Sequence, residues 1–286
     1  MASEPRFAVI TGATSGFGRA TALHLATEGY DVCLVGRSPE RGADVTAEIN
    51  RISSVKTYVV SGDLSSIGDV ARVGDEIASL ERPINLLVNN AGAIFGLRRA
   101  ESNDGIEMTM ALNHFAYVQL TRRLLDLVIA AAPSKIINVA SDAYSFAKGR
   151  FDFEDWQATR RYRPHRQYGM SKLANILFTK ELARRVAESN ISVVAWSPKG
   201  LTATRFAYGS NRLAPLAMKL THPFVTKTQD AVVSLLDLCD RQPTPDEQGA
   251  FFHDTRIDPV DVATDDDAKR LWDLSEQILD EKSGRQ

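Results

Sequence analysis

The sequence predicts an α/β protein, a single domain built on a doubly wound parallel sheet with helices on both faces. Three observations carry this. Apolar runs of four to six residues alternate with helical stretches of ten or more. The runs are apolar throughout, as strands buried on both faces are. The first run opens directly into a glycine-rich turn and then a helix, the order that a phosphate-binding strand–turn–helix unit requires.

Residues 7–10 read as a buried strand, 11–18 as the turn, and 20–28 as a helix that Gly29 ends. Residues 31–35 form the second strand, 43–51 a helix, 57–60 a strand-like run and 70–80 a helix. The run 84–88 ends in Asn89-Asn90-Ala91-Gly92. Periodicity predicts one long amphipathic helix over 105–131, a strand over 135–140, a second long helix over 168–188 and a strand over 191–196. In the tail, 265–282 is an amphipathic helix whose Leu271, Trp272, Leu274, Ile278 and Leu279 should pack on the body. Two irregular stretches, 142–167 and 200–228, follow the C-terminal ends of strands, where open α/β sheets bind ligands. The domain therefore divides into a cofactor-binding half, about 1–140, and a catalytic and substrate-binding half, about 141–286.

Composition narrows the function. The 286 residues are 44% hydrophobic and 24% charged, ordinary for a globular domain. A net charge of -2 and a pI near 6.2 favour neither nucleic acid nor an anionic membrane surface. Cys33 and Cys239 stand far apart among apolar neighbours, so they read as small buried hydrophobes, and no Cys/His spacing suits a metal. No signal pattern opens the chain, and no apolar stretch approaches the ~18 residues of a membrane span. The expectation is a cytoplasmic protein with no metal and no membrane span.

The turn reads Thr11-Gly-Ala-Thr-Ser-Gly-Phe-Gly18. Gly12, Gly16 and Gly18 let the backbone turn sharply and approach a pyrophosphate at the helix N-terminus. No Gly-Lys-Ser/Thr follows, so this is not a P-loop. A dinucleotide site specific for NAD places a carboxylate at the end of the second strand. Here that position holds Gly36, followed by Arg37, while Asp31 lies at the strand's other end. NADP(H) is therefore expected in preference to NAD(H), with Arg37 on the 2′-phosphate.

Tyr168 and Lys172 are four residues apart, on one face of a helix. A nearby ammonium should lower the phenol's pKa from its usual ~10. Tyr168 can then give a proton to a carbonyl oxygen or take one from an alcohol. Ser141 sits just past a buried strand, where its hydroxyl can bind a substrate oxygen, or cap a turn. Asn113 is a polar residue on a buried helix face and needs partners. His114 beside it reads as structural. The chain shows no Ser-His-Asp signature and no paired carboxylates in a clear context.

Together these motifs resemble the short-chain dehydrogenase/reductase family, whose loop is Thr-Gly-x3-Gly-x-Gly. Asp63-Leu64 is similar to the pair that family sets beside adenine, and Asn89-Asn90-Ala91-Gly92 to the motif ending its fourth strand. Asn113, Ser141 and Tyr168-Gly-Met-Ser-Lys172 match its catalytic positions. The resemblance implies a Rossmann-type fold with cofactor contacts from Thr14, Ser15, Phe17 and the loop glycines. Further contacts would come from Asp63, Leu64, Asn90, Ala91 and Gly92, and again from Tyr168 and Lys172. It also implies that Lys172 bonds the nicotinamide ribose and that Asn113 holds a water linking Lys172 to solvent. Subunits of the family often pair through the two long helices, so a homo-oligomer is an expectation.

Tyr168–Phe178, the insertion Phe151-Asp-Phe-Glu-Asp-Trp156 and the tail Ala268–Glu276 resemble the retinol-dehydrogenase-like branch. That branch implies NADP(H) and a hydrophobic alcohol, aldehyde or ketone as the small-molecule substrate. Phe95, Phe146, Phe151, Trp156, Phe206 and Tyr208 fall in rim segments, and about half should wall an apolar pocket. Two departures stand out. The family's Pro-Gly after the sixth strand is Pro198-Lys199-Gly200 here, which bears on how Thr202 or Thr204 meets the nicotinamide carboxamide. Ser15 occupies the family's other basic position, so the preference for NADP(H) should be moderate. The rival readings are a carbon–carbon double-bond reductase on the same fold and a non-catalytic nucleotide-sensing regulator. A regulator would typically have lost the Tyr or the Lys.

Overall fold

The computed structural model describes residues 5–199, 231–242 and 244–283. Its strands are β1 (Phe7–Thr11), β2 (Asp31–Gly36), β3 (Thr57–Ser61), β4 (Leu86–Asn89), β5 (Ser134–Val139), β6 (Ile191–Ser197), β7 (Phe251–His253) and β8 (Arg256–Ile257). They form one sheet in the order β3-β2-β1-β4-β5-β6-β7-β8. Every pairing is parallel except β7 with β8. The winding reverses between β1 and β4, the switch point at which such sheets open a crevice.

Period-two alternation explains why helices cover both faces. Phe7 and Val9 of β1 enter one core with Cys33 and Val35 of β2. Ala8 and Ile10 enter the other with Val32 and Leu34. The first core is closed by α3 (Ile67–Ala78), α5 (Ala116–Ala130), α6 (Pro164–Arg185) and the tail helix. The second is closed by α1 (Gly16–Thr27), α2 (Pro39–Ile52) and a helix after the 200–230 stretch. Both cysteines are buried free thiols, and burial pushes each up to about 12.

The long helix expected over 105–131 is shorter and interrupted. Gly105 takes a φ of +72° in the preceding turn, so the helix cannot begin there. It starts as α4 (Met108–Met110), where the Glu107 carboxylate accepts from the backbone N–H groups of Thr109 and Met110 at 3.0 Å each. A π-helical turn, Ala111–Phe115, then joins α4 to α5. The second long helix begins four residues before Tyr168, with Pro164 in its first turn, where a missing N–H costs nothing. The remaining helices are α7 (Val233–Asp240) and α8 (Asp265–Ser283). Leu271 and Leu279 of α8 are buried, with Trp272, Leu274 and Ile278 packed beside them, as the pattern predicted. No described helix is long and apolar enough to cross a membrane.

Candidate active site

Two loops leave the sheet at the switch point and touch. Gly12 has a φ of +66°, and a Cβ on it would stand 2.9 Å from Asn90 Nδ2 and 3.1 Å from Ala91 Cα. A Cβ on Gly18 would stand 2.5 Å from the Gly12 carbonyl oxygen and 2.6 Å from Asn90 Nδ2. Any side chain at either position would force the loops apart. Thr11 locks them: its Oγ1 accepts from the backbone N–H groups of Asn90 (2.8 Å) and Ala91 (2.9 Å), and its carbonyl accepts from Asn90 Nδ2 at 2.8 Å. No motif in the sequence points to this role of Thr11. A polar residue ending an otherwise apolar strand was the available signal.

The loop fits the pyrophosphate of a dinucleotide. The first turn of α1 carries no acidic residue, and the Ser15 side chain at its N-cap accepts no hydrogen bond from the helix N–H groups. The leading N–H groups therefore remain available to an anion. Thr14 and Gly16 are half-buried and Ser15 exposed, while Phe17 is turned into the core and stacks edge-on against Trp196 at 5.4 Å. Phe17 can thus offer only backbone. Beyond β2, Arg37 is exposed. Leu64 is buried in the core. Asp63 accepts from the backbone N–H and the hydroxyl of Ser65 at 3.0 and 2.8 Å, so its carboxylate serves the approach to α3.

The residues expected to move protons converge where β4, β5, α5 and α6 meet. Lys172 is fully buried, and its Nζ donates to the Val139 carbonyl at 2.9 Å. The same Nζ lies 5.6 Å from the centre of the Tyr168 ring and 5.9 Å from that of Tyr117. A Cβ on Gly92 would come within 3.5 Å of it and 3.1 Å of Asn113 Oδ1, which places the end of β4 against the cluster. Asn113 finds the partners its burial demands. Its Oδ1 accepts from the Ala93 N–H at 2.8 Å, and its Nδ2 donates to the Ala93 carbonyl and to Ser171 Oγ, each at 3.0 Å. Its carboxamide thus holds the loop beyond Gly92 in place.

Ser141 caps a turn, the second of its two expected readings, and it also faces Tyr168. Its Oγ accepts from the Ala143 N–H at 3.1 Å, capping a short 3-10 helix over Asp142–Ala147, and it also hydrogen-bonds the Tyr168 side chain. Gly169 makes this approach possible, since a Cβ there would stand 2.6 Å from the Ala143 carbonyl oxygen.

One electrostatic expectation is reversed. Tyr168 was expected to be acidified by Lys172. Instead burial raises its pKa well above the ordinary phenol value, the Asp142 charge adds to the rise, and the Ser141 hydrogen bond only opposes it. Burial also pulls Lys172 down to about 7. The ammonium that should acidify the phenol is itself disfavoured by the same exclusion of water.

Of the expected pocket aromatics, Phe151 is buried beside Phe153, and Trp156 packs on Phe115 at 5.4 Å. Phe95 is half-buried and Phe146 exposed. Pro198 is described and accepts from Ser197 Oγ through its carbonyl at 3.1 Å. Gly200, Thr202, Thr204, Phe206 and Tyr208 lie outside the described residues.

A dinucleotide crevice at the switch point, with a buried Tyr–Lys pair beside it, is the layout of a nicotinamide-dependent oxidoreductase. Comparison with known proteins agrees. The short chain dehydrogenase family matches residues 6–212. A Streptomyces sp. (strain C5) protein assigned as a daunorubicin C-13 ketoreductase is 34% identical over 273 residues, covering 94% of this chain and 91% of that one. Retinol dehydrogenase 14 of Homo sapiens is 32% identical over 292 residues, covering 95% and 85%. Among solved structures, a short-chain dehydrogenase from Sphingobium yanoikuyae in complex with NADPH superposes with a TM-score of 0.68 at 24% identity, covering 95% of each chain. The chain belongs to the short-chain dehydrogenase family. It is an oxidoreductase that acts on an alcohol or carbonyl with a nicotinamide dinucleotide.

Proposed function

We propose that this protein transfers a hydride between NADP(H), in preference to NAD(H), and the carbonyl or alcohol of a mainly apolar small molecule, with Tyr168 as proton donor and acceptor. The observation that carries the reading is the buried Tyr168, bonded to Ser141 and set over Lys172. Burial holds the proton on the phenol, the state that donation to a carbonyl oxygen needs. Ser141 Oγ, beside the phenol, is placed to bond the same substrate oxygen and stabilise charge that develops on it. Lys172, fixed by the Val139 carbonyl, lies 5.6 Å from the centre of the Tyr168 ring, and in its protonated form it favours the phenolate that the oxidative direction needs. Asn113 is a positioning residue, holding the Gly92–Ala93 backbone against the cluster.

The dinucleotide would lie with its pyrophosphate on Gly12, Gly16 and Gly18 and its adenosine toward β2, and it supplies or accepts the hydride when bound. Beyond β2 the chain offers Arg37 and no carboxylate, which suits a 2′-phosphate. The half-buried Phe95 and exposed Phe146 supply apolar surface near the cluster. The test is product analysis on matched panels of hydrophobic ketones, aldehydes and enones with NADPH and NADH. The reading requires carbonyl–alcohol interconversion and faster turnover with NADPH. Saturation of enones with the carbonyl retained, or turnover of charged sugars alone, would overturn it.

A further inference from the structure

The net charge of -2 conceals an uneven distribution. Helix α8 alone carries seven carboxylates against three cations. Beside the candidate site the balance is reversed. Two loops leave the cluster there: 93–100, which follows Gly92, and 142–163, which follows Ser141. The Tyr162 hydroxyl donates to the Gly96 carbonyl at 3.3 Å, and the Phe146 ring meets His165 at 6.2 Å. These contacts draw Arg98, Arg161 and Arg163 to one rim, with Lys148 next to Phe146 in the chain, and all four cations are exposed.

Asp142 is exposed, accepts from Ser141 Oγ at 3.1 Å and forms no ion pair among the described residues, and Asp258 and Asp261 act on the neighbouring Tyr144. The other carboxylates near the rim are engaged. Glu101 pairs with Arg99, Asp152 with Arg166 and Glu154 with Arg270, while Asp155 accepts from the backbone N–H groups of Thr159 and Arg160. Among the described residues no ion pair neutralises Arg98, Arg161, Arg163 or Lys148. Within this basic rim, Leu97 stands 81% exposed and Phe146 49% exposed.

We infer that this rim is a docking surface for anionic lipid headgroups, which sets the mouth of the site on a membrane surface. Unpaired cations around outward-facing apolar side chains are the composition that binds there: cations meet the phosphates, and the apolar tips enter between headgroups. A small anionic substrate would use one or two of these charges and would leave Leu97 in water. The inference takes its purpose from the proposed function, because an apolar carbonyl compound concentrates in the bilayer. Its test does not depend on that function.

The experiment is co-sedimentation of the full chain with vesicles of phosphatidylcholine alone, and with vesicles in which about a third of the lipid is phosphatidylserine. Binding is expected only to the second kind, and high salt should release it. Each cation at such a surface strengthens binding about five-fold, so R98Q/R161Q/R163Q should weaken it roughly a hundred-fold. That variant should keep the wild-type melting temperature and its turnover of a water-soluble aldehyde. Leu97→Asp should weaken binding independently. Equal binding to both vesicles, binding to neither, or wild-type binding by the triple variant would overturn the inference. So would retention on polyglutamate without vesicle binding, which would assign the rim to an acidic protein partner. Failed vesicle binding with carbonyl turnover intact overturns the docking alone. Absent turnover with vesicle binding intact overturns the function alone.

Discussion

Lys172 and Arg37 are basic residues at opposite ends of the proposed crevice, and they stand in opposite environments. Lys172 is fully buried, fixed to the Val139 carbonyl and pulled down to about 7 by the loss of water. Arg37 projects from the loop beyond β2 into solvent. Burial makes a charge costly to keep and strongly coupled to its neighbours, whereas water screens an exposed one. Changes in the buried cluster should therefore alter the chemistry by orders of magnitude, and changes beyond β2 should alter the choice of cofactor by much less.

Tyr168→Phe should have the largest effect. It removes the positioned proton and leaves the cofactor loop untouched, so kcat should fall about 10²–10⁴-fold while NADPH affinity holds. A variant keeping more than about a tenth of wild-type kcat on a slow substrate would break the comparison. Ser141→Ala comes next, with a loss of roughly 10²–10³-fold in kcat/KM if its hydroxyl holds the substrate oxygen. The lost turn cap should also cost about 1 kcal/mol of stability. Full activity together with a lowered melting temperature would leave Ser141 as a cap alone.

The buried region also carries a pH signature. His114 is enclosed, with Nε2 2.9 Å from Ser275 Oγ of α8, and burial lowers its pKa to about 4. The unfolded value is near ~6.5. As pH falls below that value the unfolded chain takes up a proton that the folded chain refuses. Stability should therefore drop between about 6.5 and 4, by about 3 kcal/mol in all, and then level off. Denaturant titrations across that range should show the slope in the wild type and a flatter profile in His114→Gln. Equal slopes would place the acid sensitivity elsewhere.

Arg37→Leu should have the smallest effect. A charged hydrogen bond contributes about 1.5–3 kcal/mol, so the ratio of kcat/KM for NADPH over NADH should fall roughly ten- to a hundred-fold. Equal use of both cofactors by the wild type, or an undiminished ratio in the variant, would remove Arg37 from the account.

The same contrast explains what could be read from the sequence. The glycine loop, the alternation of apolar strands with helices and the Tyr168–Lys172 spacing are local patterns, and the strands, the turn and the helix that carry them appear in the structure. The break at Gly105 and the π-helical turn at Ala111–Phe115 are backbone events that hydrophobic periodicity does not register. Strand β7 has three residues, Phe251–His253, too few for a periodic signal. The Tyr168 shift runs opposite to the sequence expectation because the sequence shows which charge is near and not how much water is missing. Ser141 looked like a choice between a cap and a substrate contact, yet one hydroxyl both caps a turn and meets Tyr168. Thr11 binds the two crevice loops through partners some eighty positions along the chain, and no local pattern signals that.

In the proposed reaction the buried phenol of Tyr168 completes hydride transfer at a carbonyl. The most direct test of this step is a single turnover of a hydrophobic ketone with NADPH deuterated at the transferable hydrogen, run with wild type and Tyr168→Phe at equal cofactor occupancy. An alcohol with deuterium on the former carbonyl carbon is expected from the wild type, and almost none from the variant in the same time. Equal alcohol from both proteins or, with an enone as substrate, deuterium on the β-carbon of a product that keeps its carbonyl, would contradict it.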